Sequence, residues 1–184
     1  MVKWIKRPRY RKRNFHASFS KISKELRVRG MVKTLLIIAH RPSPNTAALA
    51  NAALAACQNY DDGNIETRCL TPFEVRSHDL LKADAVVIGT TENIGYMAGA
   101  TKDMFDRCYN DWLDCTEAKP VALYIRAGLD GTATNRALNS ICSGLKWRLV
   151  AEPLILKGDW DDQFPKDVAD LCLGVAAGLD MGIF

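Results

Sequence analysis

Apolar positions follow two alternating rhythms along the chain. Leu35–Ala39 is an unbroken apolar run of strand length, as expected for a strand buried on both faces of a parallel sheet. Thr46–Asn59 then places Leu49, Ala53 and Cys57 at i, i+4 and i+8, the stripe of a helix packed on one side. After the turn-rich DDGN of 61–64, Ile65–Leu70 predicts a second strand, and Asp84–Gly89 a third of the buried kind. Ala100–Trp112 predicts a helix with Met104, Cys108 and Trp112 on one face. A fourth strand over Val121–Arg126 leads to a helix over Thr132–Trp147, with Thr132 placed to cap it. A fifth strand, Val150–Leu156, and a helix over Lys166–Ala177 complete the pattern.

Five strands separated by helices predict an α/β fold, a doubly wound five-stranded parallel sheet. At 184 residues the chain suits one such domain, spanning 31–184. Ligands of these folds bind beyond the C-terminal ends of the strands, near a topological switch point. The loops after the first, third and fourth strands are therefore where chemistry is expected.

The first loop, HRPSPNT, contains neither a nucleoside-triphosphate loop nor the G-x-G-x-x-G of a dinucleotide site. It offers Ser43, Asn45 and Thr46 at the start of a helix, whose unsatisfied amides and dipole suit a single phosphate. A plain helix cap by Asn45 or Thr46 explains the same residues. The second loop, Gly89–Ala100, is long for a strand–helix connection and carries Tyr96 and Met97 among glycines. The third, RAGLDGT, sets two glycines around Asp130, which suits either an ordinary turn or close approach of backbone to a flat ligand.

Charge divides the chain. Residues 1–30 hold eleven Lys/Arg and one acid, whereas 31–184 hold fourteen Lys/Arg and twenty Asp/Glu, so the net +4 conceals an acidic body. The basic segment has no apolar core of a secretory signal. It reads as an extension outside the fold, with Met31 as an alternative start. The competing readings are targeting or a basic arm for nucleic acid or an anionic membrane surface. Six cysteines without a CxxC or Cys/His pair read as free thiols of a cytoplasmic protein, not as a disulfide framework or metal site. No apolar run reaches the ~18–20 residues of a membrane span.

A strand followed by S-x-N-T at a helix start, and then GTTENIGYMAGATKDMFDRCY, resembles the flavodoxin-like flavoproteins, nearest the NAD(P)H-dependent FMN reductases. The resemblance covers 31–184 and implies strand order 2-1-3-4-5 with FMN across the three loops. By position it implies that Ser43, Asn45, Thr46 and Ala47 hold the phosphate. Thr91, Glu92, Asn93, Ile94, Gly95, Tyr96 and Met97 would line one edge of the isoalloxazine, and Gly128, Leu129, Asp130 and Gly131 the other. The implied activity passes electrons from NAD(P)H to a quinone, flavin or similar acceptor. No catalytic side chain is expected, His40 and His78 being read as surface histidines. A homodimer or homotetramer fits this family. The alternatives are a flavodoxin-type electron carrier acting on protein partners, or a phosphate-ligand protein that has lost the flavin.

Overall fold

The computed structural model describes residues 32–60 and 64–184. The basic segment 1–30 and most of the DDGN turn lie outside the described residues. Strands β1 (Lys33–Ala39), β2 (Ile65–Leu70), β3 (Ala85–Asn93) and β5 (Pro120–Ala127) run parallel in the order β2-β1-β3-β5. The fifth place in the sheet is shared by two short strands on one edge of β5: β6 (Arg148–Leu149) beside Pro120–Val121, and β7 (Leu154–Lys157) beside Tyr124–Ala127. The order is the flavodoxin-like 2-1-3-4-5. The fifth strand is not continuous over Val150–Leu156 as expected. Val150 still donates its amide to Val121, but the chain leaves the ladder before Pro153, which has no N–H to give.

Both faces of the central strands are covered, which is why β1, β3 and β5 carry unbroken apolar runs. Leu36, Ile38, Val86, Ile88, Leu123 and Ile125 face one layer of three helices: α2 (Ser77–Lys82), α3 (Gly99–Trp112) and α4 (Thr132–Gly144). The alternate residues Leu35, Ile37, Ala39, Val87 and Ala122 face α1 (Pro44–Tyr60) and α5 (Phe164–Asp180). Each fully buried Leu or Ile contributes on the order of 1.5–3 kcal/mol. The stripe Leu49, Ala53 and Cys57 is buried as its spacing requires, and so is Met104, Cys108 and Trp112. Trp112 and Trp147 pack 5.7 Å apart, and their indole nitrogens are satisfied by the Ser77 carbonyl and the Thr116 hydroxyl.

The helix boundaries move by a few residues from expectation, and α2 was not anticipated. α4 ends at Gly144 rather than running to Trp147. The six cysteines are all free thiols: Cys57, Cys108, Cys142 and Cys172 are buried, Cys69 is half-buried and Cys115 is exposed. Among the described residues no helix is long and apolar enough to cross a membrane.

Candidate functional site

β1 ends at Ala39, level with Gly89 of β3, and His40 donates its amide to the Gly89 carbonyl at 2.9 Å. From there the chain turns to α1 on one face. β3 runs four residues further and delivers α3 to the opposite face. The ends of β1 and β3 therefore flank a topological switch point, the place where ligands of such sheets bind.

On the β1 side of that point α1 begins. Ser43, not Asn45 or Thr46, is the cap. Its hydroxyl accepts the Thr46 amide at 3.3 Å, and its carbonyl accepts the Ala47 amide at 2.8 Å. The Thr46 hydroxyl returns the bond, accepting the Ser43 amide at 3.0 Å and donating to the Ser43 carbonyl at 3.0 Å. Pro44 begins the helix with a preset φ and no N–H to satisfy. Thr46 is buried, Ala47 half-buried, and Ser43 and Asn45 are exposed at the helix terminus. Arg41, in the same loop, adds a cation that the sequence reading did not single out; an arginine three residues before a helix start is its only local signal. Burial holds the neighbouring His40 imidazole below its usual value.

The expected long second loop is mostly strand. β3 continues through Thr90 and Thr91 to Asn93, then doubles back as a hairpin in which Glu92 faces Met97 and Asn93 faces Tyr96 of β4 (Tyr96–Met97). Ile94 (φ 54) and Gly95 (φ 71) form the two-residue turn, both in the left-handed region that such a hairpin demands. Thr91 donates its hydroxyl to the Asn93 side chain at 2.8 Å, stiffening the hairpin base. Thr90 is buried against Thr101, their hydroxyls 2.8 Å apart. Ile94 is fully exposed and Tyr96 partly so, while Met97 turns inward to the core.

In the third loop Gly131 caps α4 with φ 70, where a Cβ would meet the Ile155 methyl at 2.8 Å. The Asp130 carboxylate accepts the Thr132 amide at 2.8 Å, so Thr132 opens the helix but does not cap it. Arg126 fastens the loop from below. It donates to the carbonyls of Ala127, Leu156 and Gly158 and lies 5.3 Å over the Phe164 ring. Leu129 is left exposed, and its amide donates to the Glu92 carboxylate at 3.3 Å. That bond joins the second and third loops, 37 residues apart in sequence. Of the residues expected at the site, Glu92 and Leu129 are joined by that bond, Ser43–Ala47 form the capped start of α1, and Met97, expected beside the ligand, is buried in the core instead. His78 sits elsewhere, 3.5 Å from Asp79.

No protein-family model and no curated protein sequence matches the chain. Solved structures do. A flavodoxin from the domain Archaea superposes with a TM-score of 0.68 at 15% identity, covering 79% of this chain and 98% of its own. An oxidoreductase from Corynebacterium diphtheriae gives 0.58 at 18% identity, over 79% of this chain and 96% of its own. Rubredoxin oxygen:oxidoreductase from Desulfovibrio gigas gives 0.68 at 12% identity, over 91% of this chain but 41% of its own. At these identities the likeness is one of fold, and the fold is flavodoxin-like.

Proposed function

We propose that the protein is an FMN-binding flavoprotein of electron transfer, and that it passes electrons from NAD(P)H to a quinone, flavin or similar acceptor. The observation that carries this reading is the topological switch point between β1 and β3, with a capped helix start after β1 and the loops after β3 and β5 joined by the Glu92–Leu129 bond.

The residues present fit the group. Exposed Ser43 and Asn45 stand where the first amides of α1 and its dipole favour a phosphate. Tyr96 and Leu129 expose apolar surface on two loops that the Glu92–Leu129 bond joins, and a Cβ on Gly128 would meet nothing within 4 Å. Bound FMN would supply one- and two-electron transfer. The chain's part is then to bind and to tune. Ser43, Asn45, Thr46 and Ala47 would hold the phosphate, Tyr96 and Leu129 would exclude water from the ring system, and Gly128–Gly131 would present backbone to it. The Glu92 carboxylate, a negative charge at the rim, disfavours added negative charge beside it.

Titration of the apoprotein with FMN, FAD and riboflavin tests the assignment. FMN should bind at least tenfold tighter than riboflavin; equal affinities would remove the phosphate role of the first loop. A carrier without its own substrate is the second reading, favoured by the flavodoxins among the similar structures. Steady oxidation of NADH or NADPH with a quinone separates the two.

A further inference from the structure

Among the described strands β2 pairs with β1 alone, so one side of its backbone lies open. Lys33 donates its amide to the Asn64 carbonyl at 2.8 Å, and the Thr34 carbonyl accepts the Asp84 amide at 2.8 Å. With Lys33 in register with Ile65, these bonds fix the alternation of the ladder. Glu66, Arg68 and Leu70 turn their amides and carbonyls toward β1, and Thr67 and Cys69 turn theirs outward. Neither outward residue has a backbone hydrogen bond among the described residues. No proline or bulge interrupts Ile65–Leu70, so the backbone itself does not bar a further strand.

Side chains decide which strand could take that place. Glu66 and Arg68, two residues apart, share the face toward α2, where Arg68 donates from Nη2 to Asp79 at 3.3 Å. Its Nε and Nη1 have no acceptor among the described residues. Glu66 is exposed and makes no ion pair among them. A second copy laid antiparallel about an axis at Thr67 sets each Glu66 opposite the partner's Arg68. An axis at Glu66 or at Arg68 sets like charges face to face. One at Cys69 needs the Thr71 amide, which the Glu74 carboxylate already takes at 2.7 Å. Charge therefore selects one register.

We propose that the open edge of β2 seats a second copy of this chain, the two β2 strands running antiparallel about a two-fold axis at Thr67. The two Thr67 residues then exchange amide-to-carbonyl bonds, as a hydrogen-bonded antiparallel pair does. Glu66 and Arg68 fall at the neighbouring non-hydrogen-bonded positions, where side chains stand closer and opposite charges stabilise the pairing. The same patch serves both copies, so the assembly closes at two. β2 lies outside the residues assigned to the flavin, and the proposal stands apart from that reading.

The test is sedimentation of the full-length protein over a range of concentrations, with hydrogen exchange read at the Thr67 amide. The protein should form a dimer, and the Thr67 amide should exchange more slowly in it than in the dilute monomer. Thr67→Pro removes an amide that the monomer does not use, and an edge strand tolerates proline where the N–H faces outward. It should weaken dimerisation by about tenfold or more while the dilute protein keeps its melting temperature. Glu66→Lys, at an exposed position, should also weaken it, because a lysine there faces the partner's Arg68. A protein that stays monomeric at every concentration would overturn the proposal. So would a dimer that persists undiminished in folded Thr67→Pro and Glu66→Lys, which would place the interface on another face.

Discussion

Gly89 and Tyr124 face each other across β3 and β5, and a Cβ on Gly89 would lie 1.9 Å from Cζ of the tyrosine ring. Tyr124 is buried on the α1–α5 face, and that burial pushes its phenol well above the usual tyrosine range. The ring can lie over β3 at this level only because Gly89 has no side chain, and the carbonyl of the same residue accepts the His40 amide at the end of β1.

Gly89→Ala should therefore destabilise the protein by about 1–3 kcal/mol or more through overpacking. Tyr124→Leu, which shortens the side chain, should relieve most of that cost in the double variant. Urea unfolding of the four proteins gives the coupling energy. Additive effects would show that Tyr124 is not what Gly89 accommodates.

Ile94 is a β-branched residue held at φ 54 with its side chain fully exposed, a conformation that costs roughly 1–2 kcal/mol for such a residue. Ile94→Asn restores the Asn-Gly pair favoured in this turn. It should raise the stability of the apoprotein by about 0.5–1 kcal/mol, read as an increase in melting temperature. A lower melting temperature would show that the exposed Ile94 side chain stabilises the fold.

Tyr96 exposes its ring on the hairpin that follows β3, although its backbone pairs with Asn93. Tyr96→Ala should weaken FMN binding by about 1 kcal/mol and leave the apoprotein melting temperature nearly unchanged. Tyr124→Ala, in contrast, should lower stability by about 3–5 kcal/mol. If both variants lose stability alike and Tyr96→Ala keeps full flavin affinity, the ring does not meet the flavin.

His40 gives the first loop a pH dependence. Its imidazole is harder to protonate when folded than when unfolded, so the unfolded chain binds more protons below the ordinary value of about 6.5. Stability should therefore fall as pH drops through that value and level off below the depressed native one. His40→Asn should flatten this part of the profile between pH 7.5 and 5, measured by thermal melts. A slope unchanged in the variant would assign it to another group.

Much of the fold was legible in the chain, because burial on two faces leaves a local record. The runs Leu35–Ala39 and Val121–Ile125 have no charged residue because helices cover both sides of those strands, and β2 occupies the expected Ile65–Leu70. The loops left no such record. That β3 runs on to Asn93 and folds into a hairpin depends on pairing with β4 around a turn whose first residue, Ile94, is not a turn former. That Ser43 rather than Asn45 caps α1 depends on backbone geometry within one turn. The bond from Leu129 to Glu92, and the meeting of Arg76 with Arg107 at Val75, join residues with no periodic relation. Periodicity determined which side chains are buried. Only the packed sheet, by setting where β1 stops and β3 continues, decided which loop atoms stand within a hydrogen bond of one another.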